Sequence, residues 1–153
     1  PDAPRAFDYD PGIWLRNGAR ETMGSYGQTA LRGILTPCPA ELARYFGLLR
    51  LFWRDGAGTL FVHAGIAPWE EPETTGAATL LWSREHLRAD QPPGRRVVHG
   101  HTPTPRVDVG VGRVGVDTGA VYGGPLTALQ LPEGVAWQVA PDGAVDSFPI
   151  AMR

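Results

Sequence analysis

A single cysteine, Cys38, stands in 153 residues. It has no partner for an internal disulfide, so the chain suits a reducing cytoplasm. Long apolar runs are also lacking: nothing approaches the roughly 18 residues that mark a membrane-spanning helix, and no segment reads as a signal peptide. A cytoplasmic protein without membrane association is expected. Charge of one sign is scarce too, with 14 basic against 16 acidic residues, a net charge of −2 and a pI near 6.1. The basic residues are arginines, and they are scattered. Nucleic acid or an anionic membrane surface would favour clustered cations, so neither is an expected partner. Internal repeats and low-complexity tracts are absent. The remainder is globular in composition, 42% hydrophobic and 20% charged, with enough length for one domain (1–153) and a sizeable core.

Glycine and proline are frequent, at 20 and 15 residues, and they cut the chain into short elements. Helices are expected over 11–17 and 20–26, with Gly18 and Gly27 at their C-terminal boundaries. Pro39 suits a first helical position, after which Leu42, Tyr45, Phe46 and Leu49 fall on one face and read as core. Two aromatic and β-branched runs, 51–54 and 59–63, flank Asp55-Gly56-Ala57-Gly58 and read as a β-hairpin. A loop rich in Pro, Glu and Thr covers 68–75, and a helix is expected over 77–87. Strands follow near 96–99, 113–116, 127–131 and 135–139, with turns at Pro132-Glu133-Gly134 and Pro141-Asp142-Gly143. The tail after Asp142 carries no functional signal. The fold class is α+β, helices first and then a mostly antiparallel β half.

The chemistry is concentrated in Phe61-Val62-His63-Ala64-Gly65-Ile66, in Val97-Val98-His99-Gly100-His101-Thr102-Pro103, and in the stretch from Gly115 to Gly124. An apolar β-branched run ending at a histidine reads as a buried strand whose carboxyl end delivers a side chain to a loop, where ligands of α/β proteins bind. His63 and His101 both fit that position. Neutral imidazole ligates zinc, manganese and iron, so two such strand ends suggest one metal approached from two sides; buried, hydrogen-bonded structural histidines are the alternative. His99 lies two residues before His101 and suits a supporting or packing role. His86 is expected to project elsewhere, into solvent.

Five pieces, 14–22, 61–68, Leu80-Leu81-Trp82-Ser83-Arg84-Glu85, Gly100-His101-Thr102-Pro103, and 117–124 with Leu126-Thr127-Ala128-Leu129, resemble in order the C-terminal half of bacterial serine/threonine protein phosphatases of the calcineurin-like metallophosphoesterase superfamily, the lambda-phosphatase type. The resemblance covers most of 14–131. It implies the C-terminal part of a two-sheet β-sandwich flanked by helices, with metals at strand ends. It also implies His63 and His101 as ligands of one of two divalent ions, manganese by family habit and iron or zinc otherwise. Arg84 matches a phosphate-contacting arginine, whose planar guanidinium binds two phosphoryl oxygens and stabilises charge as the P–O bond breaks. Tyr122 aligns with a substrate-side tyrosine if the glycine-rich loop is registered on its glycines. Asp117 reads as a loop-fixing or ligand-supporting carboxylate.

The family's Asp-x-His, Gly-Asp-x-x-Asp-Arg-Gly and Gly-Asn-His-Glu elements do not occur here; the first histidine is His63 and the only asparagine Asn17. The resemblance therefore implies a phosphomonoester hydrolase, acting by metal-activated water on phosphoproteins or small phosphoesters, whose other metal ligands and general acid belong to the N-terminal half of the same fold. This chain alone is expected to be inactive, and one sheet face is expected to lie uncovered. A symmetrical dinucleoside tetraphosphatase is the alternative substrate class. A non-catalytic remnant or interaction module of the same fold is the alternative from outside catalysis.

Overall fold

The computed structural model describes residues 11–25 and 40–151. The chain divides into two compact units, Pro1–Leu49 and Arg50–Arg153. In the first, helix α1 (Pro11–Arg16) and helix α2 (Ala19–Ser25) are separated by Gly18, whose φ of +92° takes the left-handed conformation that ends a helix at glycine. Thr22 then donates its hydroxyl to the Gly18 carbonyl, and Ala19 and Met23 are buried. Helix α3 spans Ala40–Leu48. Tyr26, Gly27, Cys38 and Pro39 lie outside the described residues, as does the side chain of Leu42.

The α3 stripe expected to be core is exposed. Tyr45 and Phe46 are each 58% accessible and Leu49 55%, and the two rings pack edge-on against each other, centroids 5.6 Å apart. Helical spacing of apolar residues reveals an amphipathic face; burial needs a second apolar surface, which spacing does not report.

The second unit is mixed α+β. Strands β1 (Phe52–Arg54) and β2 (Thr59–Val62) form the expected hairpin. Its turn is closed by the Asp55 carboxylate, which accepts the amides of Ala57 and Thr59 at 2.9 and 2.7 Å, a local bond that aspartate supplies readily. Helix α4 (Ala77–Trp82) is followed by strands β3 (Arg96–His99), β4 (Asp108–Gly110) and β5 (Arg113–Gly115). Beyond them β6 (Leu126–Gln130), β7 (Val135–Val139) and β8 (Val145–Pro149) make a separate three-stranded antiparallel sheet.

The first sheet has five strands in the order β1-β2-β3-β5-β4. Its outer pairs are antiparallel, but β2–β3 and β3–β5 run parallel, two exceptions in a set of described strands that otherwise pairs antiparallel, as expected. The β2–β3 pair is parallel because α4 and its flanking loops carry the chain from the end of β2 back to the start of β3, a crossover that a tight turn cannot make; β5 runs parallel to β3 because β4 stands between them in the chain and pairs antiparallel with β5 at the sheet edge. Leu60 is paired with Val97 across the β2–β3 ladder and so shares its face. With Val62, Ile66 and Leu80 of α4 they form the buried cluster against which Phe52 packs. Each such side chain removed from water contributes about 1.5–3 kcal/mol. The opposite face is open between β1 and β3: Trp53, 53% exposed, leans on Phe61 at 5.4 Å beside a groove of about 460 Å³ that Leu51, Val98 and Val116 also line.

Among the described residues no helix is long and apolar enough to cross a membrane.

Candidate functional site

Parallel pairing places the carboxyl ends of β2 and β3 at the same edge of the sheet. The register Phe61↔Val98 continues past the strands, where the Gly100 amide donates to the His63 carbonyl at 2.8 Å. The next residue, His101, has φ of +66°, the one positive φ at a described non-glycine residue. That left-handed conformation costs roughly 1–2 kcal/mol for a residue with a Cβ. It is tolerated where surrounding structure holds it, and it recurs at functional positions. The turned ring of His101 meets the ring of His63, centroids 5.1 Å apart and planes at 56°.

Two more groups close on His101 from the end of α4. Trp82 stands edge-on to its ring, centroids 5.3 Å apart and planes perpendicular. Arg84 is exposed and donates Nε–H to Thr102 Oγ1 at 3.3 Å. The His101 pKa is lowered, chiefly by burial and then by the neighbouring His63 and Arg84, against the opposing pull of the Asp117 carboxylate and the Trp82 carbonyl. A neutral imidazole with a free lone pair is the form that can ligate a metal.

Asp117 holds the following loop. Its carboxylate accepts the Gly119 amide at 3.0 Å, and its carbonyl accepts the Thr104 amide at 3.0 Å. Gly119 and Gly123, with φ of +73° and +87°, bracket the 3-10 turn Ala120–Tyr122. Tyr122 on that turn is 80% exposed and makes no hydrogen bond or ring contact with the histidine pair. His99 is 3% exposed; its Nδ1 lies 3.3 Å from the Gly100 carbonyl and its pKa is lowered, chiefly by burial.

His86 departs from expectation. Instead of projecting into solvent it is fully buried, with its ring edge-on to that of His99 at 4.3 Å. The expected helix over 77–87 ends at Trp82, because Ser83 is extended, with ψ of 147°. The chain resumes as a 3-10 turn, Glu85–Arg88, which redirects His86 inward.

The structure therefore brings His63, His101 and Arg84 together, keeps Asp117 beside them and leaves Tyr122 apart. Trp82 and Thr102 join the site although sequence reasoning gave them no role; both sit within the blocks already singled out, which was their only signal. Among the described residues no group of three or more His, Cys, Asp and Glu side chains is placed to hold a metal ion. Two imidazoles match half of a tetrahedral shell, so the donor set fits an ion only with ligands from outside these residues. Comparison with protein-family models, with curated proteins and with solved structures gives no match.

Proposed function

We propose that this chain carries part of a divalent-metal phosphomonoesterase centre. In this reading it is the C-terminal portion of a calcineurin-like two-sheet fold, resembling bacterial serine/threonine protein phosphatases. The observation that supports the reading is the convergence of His63 and His101 at 5.1 Å from two parallel strand ends, with a solvent-facing arginine bonded to the neighbouring Thr102. His63 and His101 hold one ion of a manganese pair, or of iron or zinc. Such an ion supplies Lewis-acid polarisation of a phosphoryl oxygen. Arg84 lies where its guanidinium can take phosphoryl oxygens and spread the charge that builds during P–O cleavage. Trp82 shields one side of His101 with its ring. The Asp117-fixed loop keeps backbone close to the site. Phosphoseryl and phosphothreonyl proteins in the cytoplasm are the first substrate class, ahead of dinucleoside tetraphosphates.

Titration of the chain with Mn²⁺, followed through the imidazole NMR signals, tests this reading. Paramagnetic broadening confined at low Mn²⁺ to His63 and His101, and weakened in His63→Ala and in His101→Ala, is the expected result. Uniform broadening of all exposed carboxylate neighbours with no preference for these rings would overturn it. The small donor set favours a second reading, a non-catalytic module of the same fold. The two differ in whether the full gene product hydrolyses phosphopeptides with Mn²⁺ and loses that activity in His101→Ala.

A further inference from the structure

Three chain segments carry the candidate site, and each sends a group two positions away into one buried contact. Gly65 follows His63 by two residues, His86 follows Arg84 by two, and His99 precedes His101 by two. The His86 and His99 rings meet edge-on at 4.3 Å and 75°. Gly65 has φ of +118°, and a Cβ there would lie 2.4 Å from His86 Nδ1; the ring fills the space a side chain would need. On its other side His99 covers Gly115, where a Cβ would come within 2.9 Å of His99 Cε1.

The Gly100 carbonyl meets the His99 ring at Nδ1, but among the described residues no such contact holds the His86 ring. Neither nitrogen of His86 has a partner among the described residues, nor does His99 Nε2, although buried polar atoms are nearly always paired. The His86 ring is held by its fit against Gly65 and the His99 ring. Backbone bonds tie the other segments differently. Gly100 N–H to the His63 carbonyl joins the ends of β2 and β3, and Ala64 N–H to the Leu80 carbonyl joins the end of β2 to α4. Between the segment of Trp82 and Arg84 and the segment of His101, the ties are side-chain contacts: Trp82 on His101, Arg84 to Thr102 at 3.3 Å, and His86 on His99. Of these, only the last is sealed from solvent, and the 3-10 turn that buries it starts directly after Arg84.

We infer that His86 is a positioning residue: its ring, wedged between Gly65 and His99, sets where Trp82 and Arg84 stand against His101. The inference rests on the proposed reading of His63, His101 and Arg84 as the site, but its test contains no metal or substrate, so failure of Mn²⁺ to bind and failure of this inference are separate results.

NMR spectra of the chain at pH 8 report two ring contacts, Trp82 to His101 and His63 to His101, as nuclear Overhauser effects. His86→Ala is expected to lose the first and keep the second, because the backbone bond between β2 and β3 survives. His86→Phe, which restores a ring, is expected to recover the first. Val114→Ala, which empties a fully buried position on β5, is expected to lower stability and keep both. If His86→Ala does not fold, His86→Leu makes the same comparison with the same expected loss. Retention of the Trp82–His101 contact in a folded truncation, its equal loss in Val114→Ala, its absence in a folded His86→Phe, or failure of both truncations to fold would each overturn the positioning role, the last by making His86 a general core element.

Discussion

Lowering the pH from 7 to 5 should weaken this fold through His86. Burial pushes its pKa down from 6.5 to about 4, with His99, Arg113 and His101 acting in the same direction and Asp108 against them. A histidine whose folded pKa is depressed is bound in its neutral form. Its contribution is therefore fully present above the unfolded pKa of 6.5 and is lost as pH falls from there toward 4, because the unfolded chain takes up a proton that the folded chain refuses. Each unit of difference is worth about 1.4 kcal/mol, so the whole effect approaches about 3 kcal/mol below pH 4, and about 2 kcal/mol of it falls between pH 7 and 5. That is a large share of the roughly 5–15 kcal/mol that holds a domain folded. Urea unfolding at pH 7 and pH 5, for the parent chain and for His86→Phe, measures it. Other groups contribute to the pH slope of both proteins, so the quantity of interest is the difference between the two slopes. An equal loss of stability in parent and variant would refute the argument, since it would mean that His86 accepts a proton in the folded state without penalty.

Leu80→Ala removes the α4 contribution to the buried cluster of Leu60, Val62, Ile66 and Val97; a loss of about 2–5 kcal/mol is expected in denaturant unfolding, and a loss below 1 kcal/mol would show that α4 does not cover this sheet face. Gly65→Ala and Gly58→Ala both place a side chain at positive φ, +118° and +81°, but only the first meets an obstacle, the His86 ring; Gly65→Ala should lower the thermal midpoint clearly more than Gly58→Ala, and equal shifts would place His86 elsewhere. Hydrolysis of an aryl phosphate by this chain with Mn²⁺ should be indistinguishable from buffer; activity abolished by His101→Ala would mean that the two histidines need fewer additional ligands than the proposed centre assumes. His101→Gly relieves a left-handed conformation worth roughly 1–2 kcal/mol, so it should be tolerated in thermal unfolding even while it weakens the Mn²⁺ broadening of His63.

What could be read from the residues depended on how local the determining interaction is. The β1–β2 hairpin was legible because its turn is closed within five residues by Asp55, a bond the sequence displays. The strand ends at His63 and His99 were legible for a similar reason, since each is a β-branched run stopping at a small or flexible residue. The meeting of His63 and His101 was legible only as a suggestion: it needs β2 and β3 to be parallel and in register, which neither segment encodes alone. Strand β8 was invisible, because Val145–Pro149 is exposed along most of its length and owes its conformation to pairing with β7.

His86 marks the limit of this reading. Its place depends on Ser83 leaving the helical conformation, and nothing in the run from Ala77 to Leu87 announces that break: no glycine or proline interrupts it, and serine is tolerated in helices. The break is rewarded at a distance, by Gly65 having no side chain and by the His99 ring facing the gap that results. A residue whose surroundings come from three separate segments carries no local sign of being buried, and imidazole, equally at home in water, adds none. The same dependence makes His86 informative. Because its burial is decided by the relative placement of the segments that bear His63, Arg84 and His101, any perturbation that moves one of them is felt at its ring. Whether it resists protonation at pH 5 therefore tests how closely those segments are packed around it.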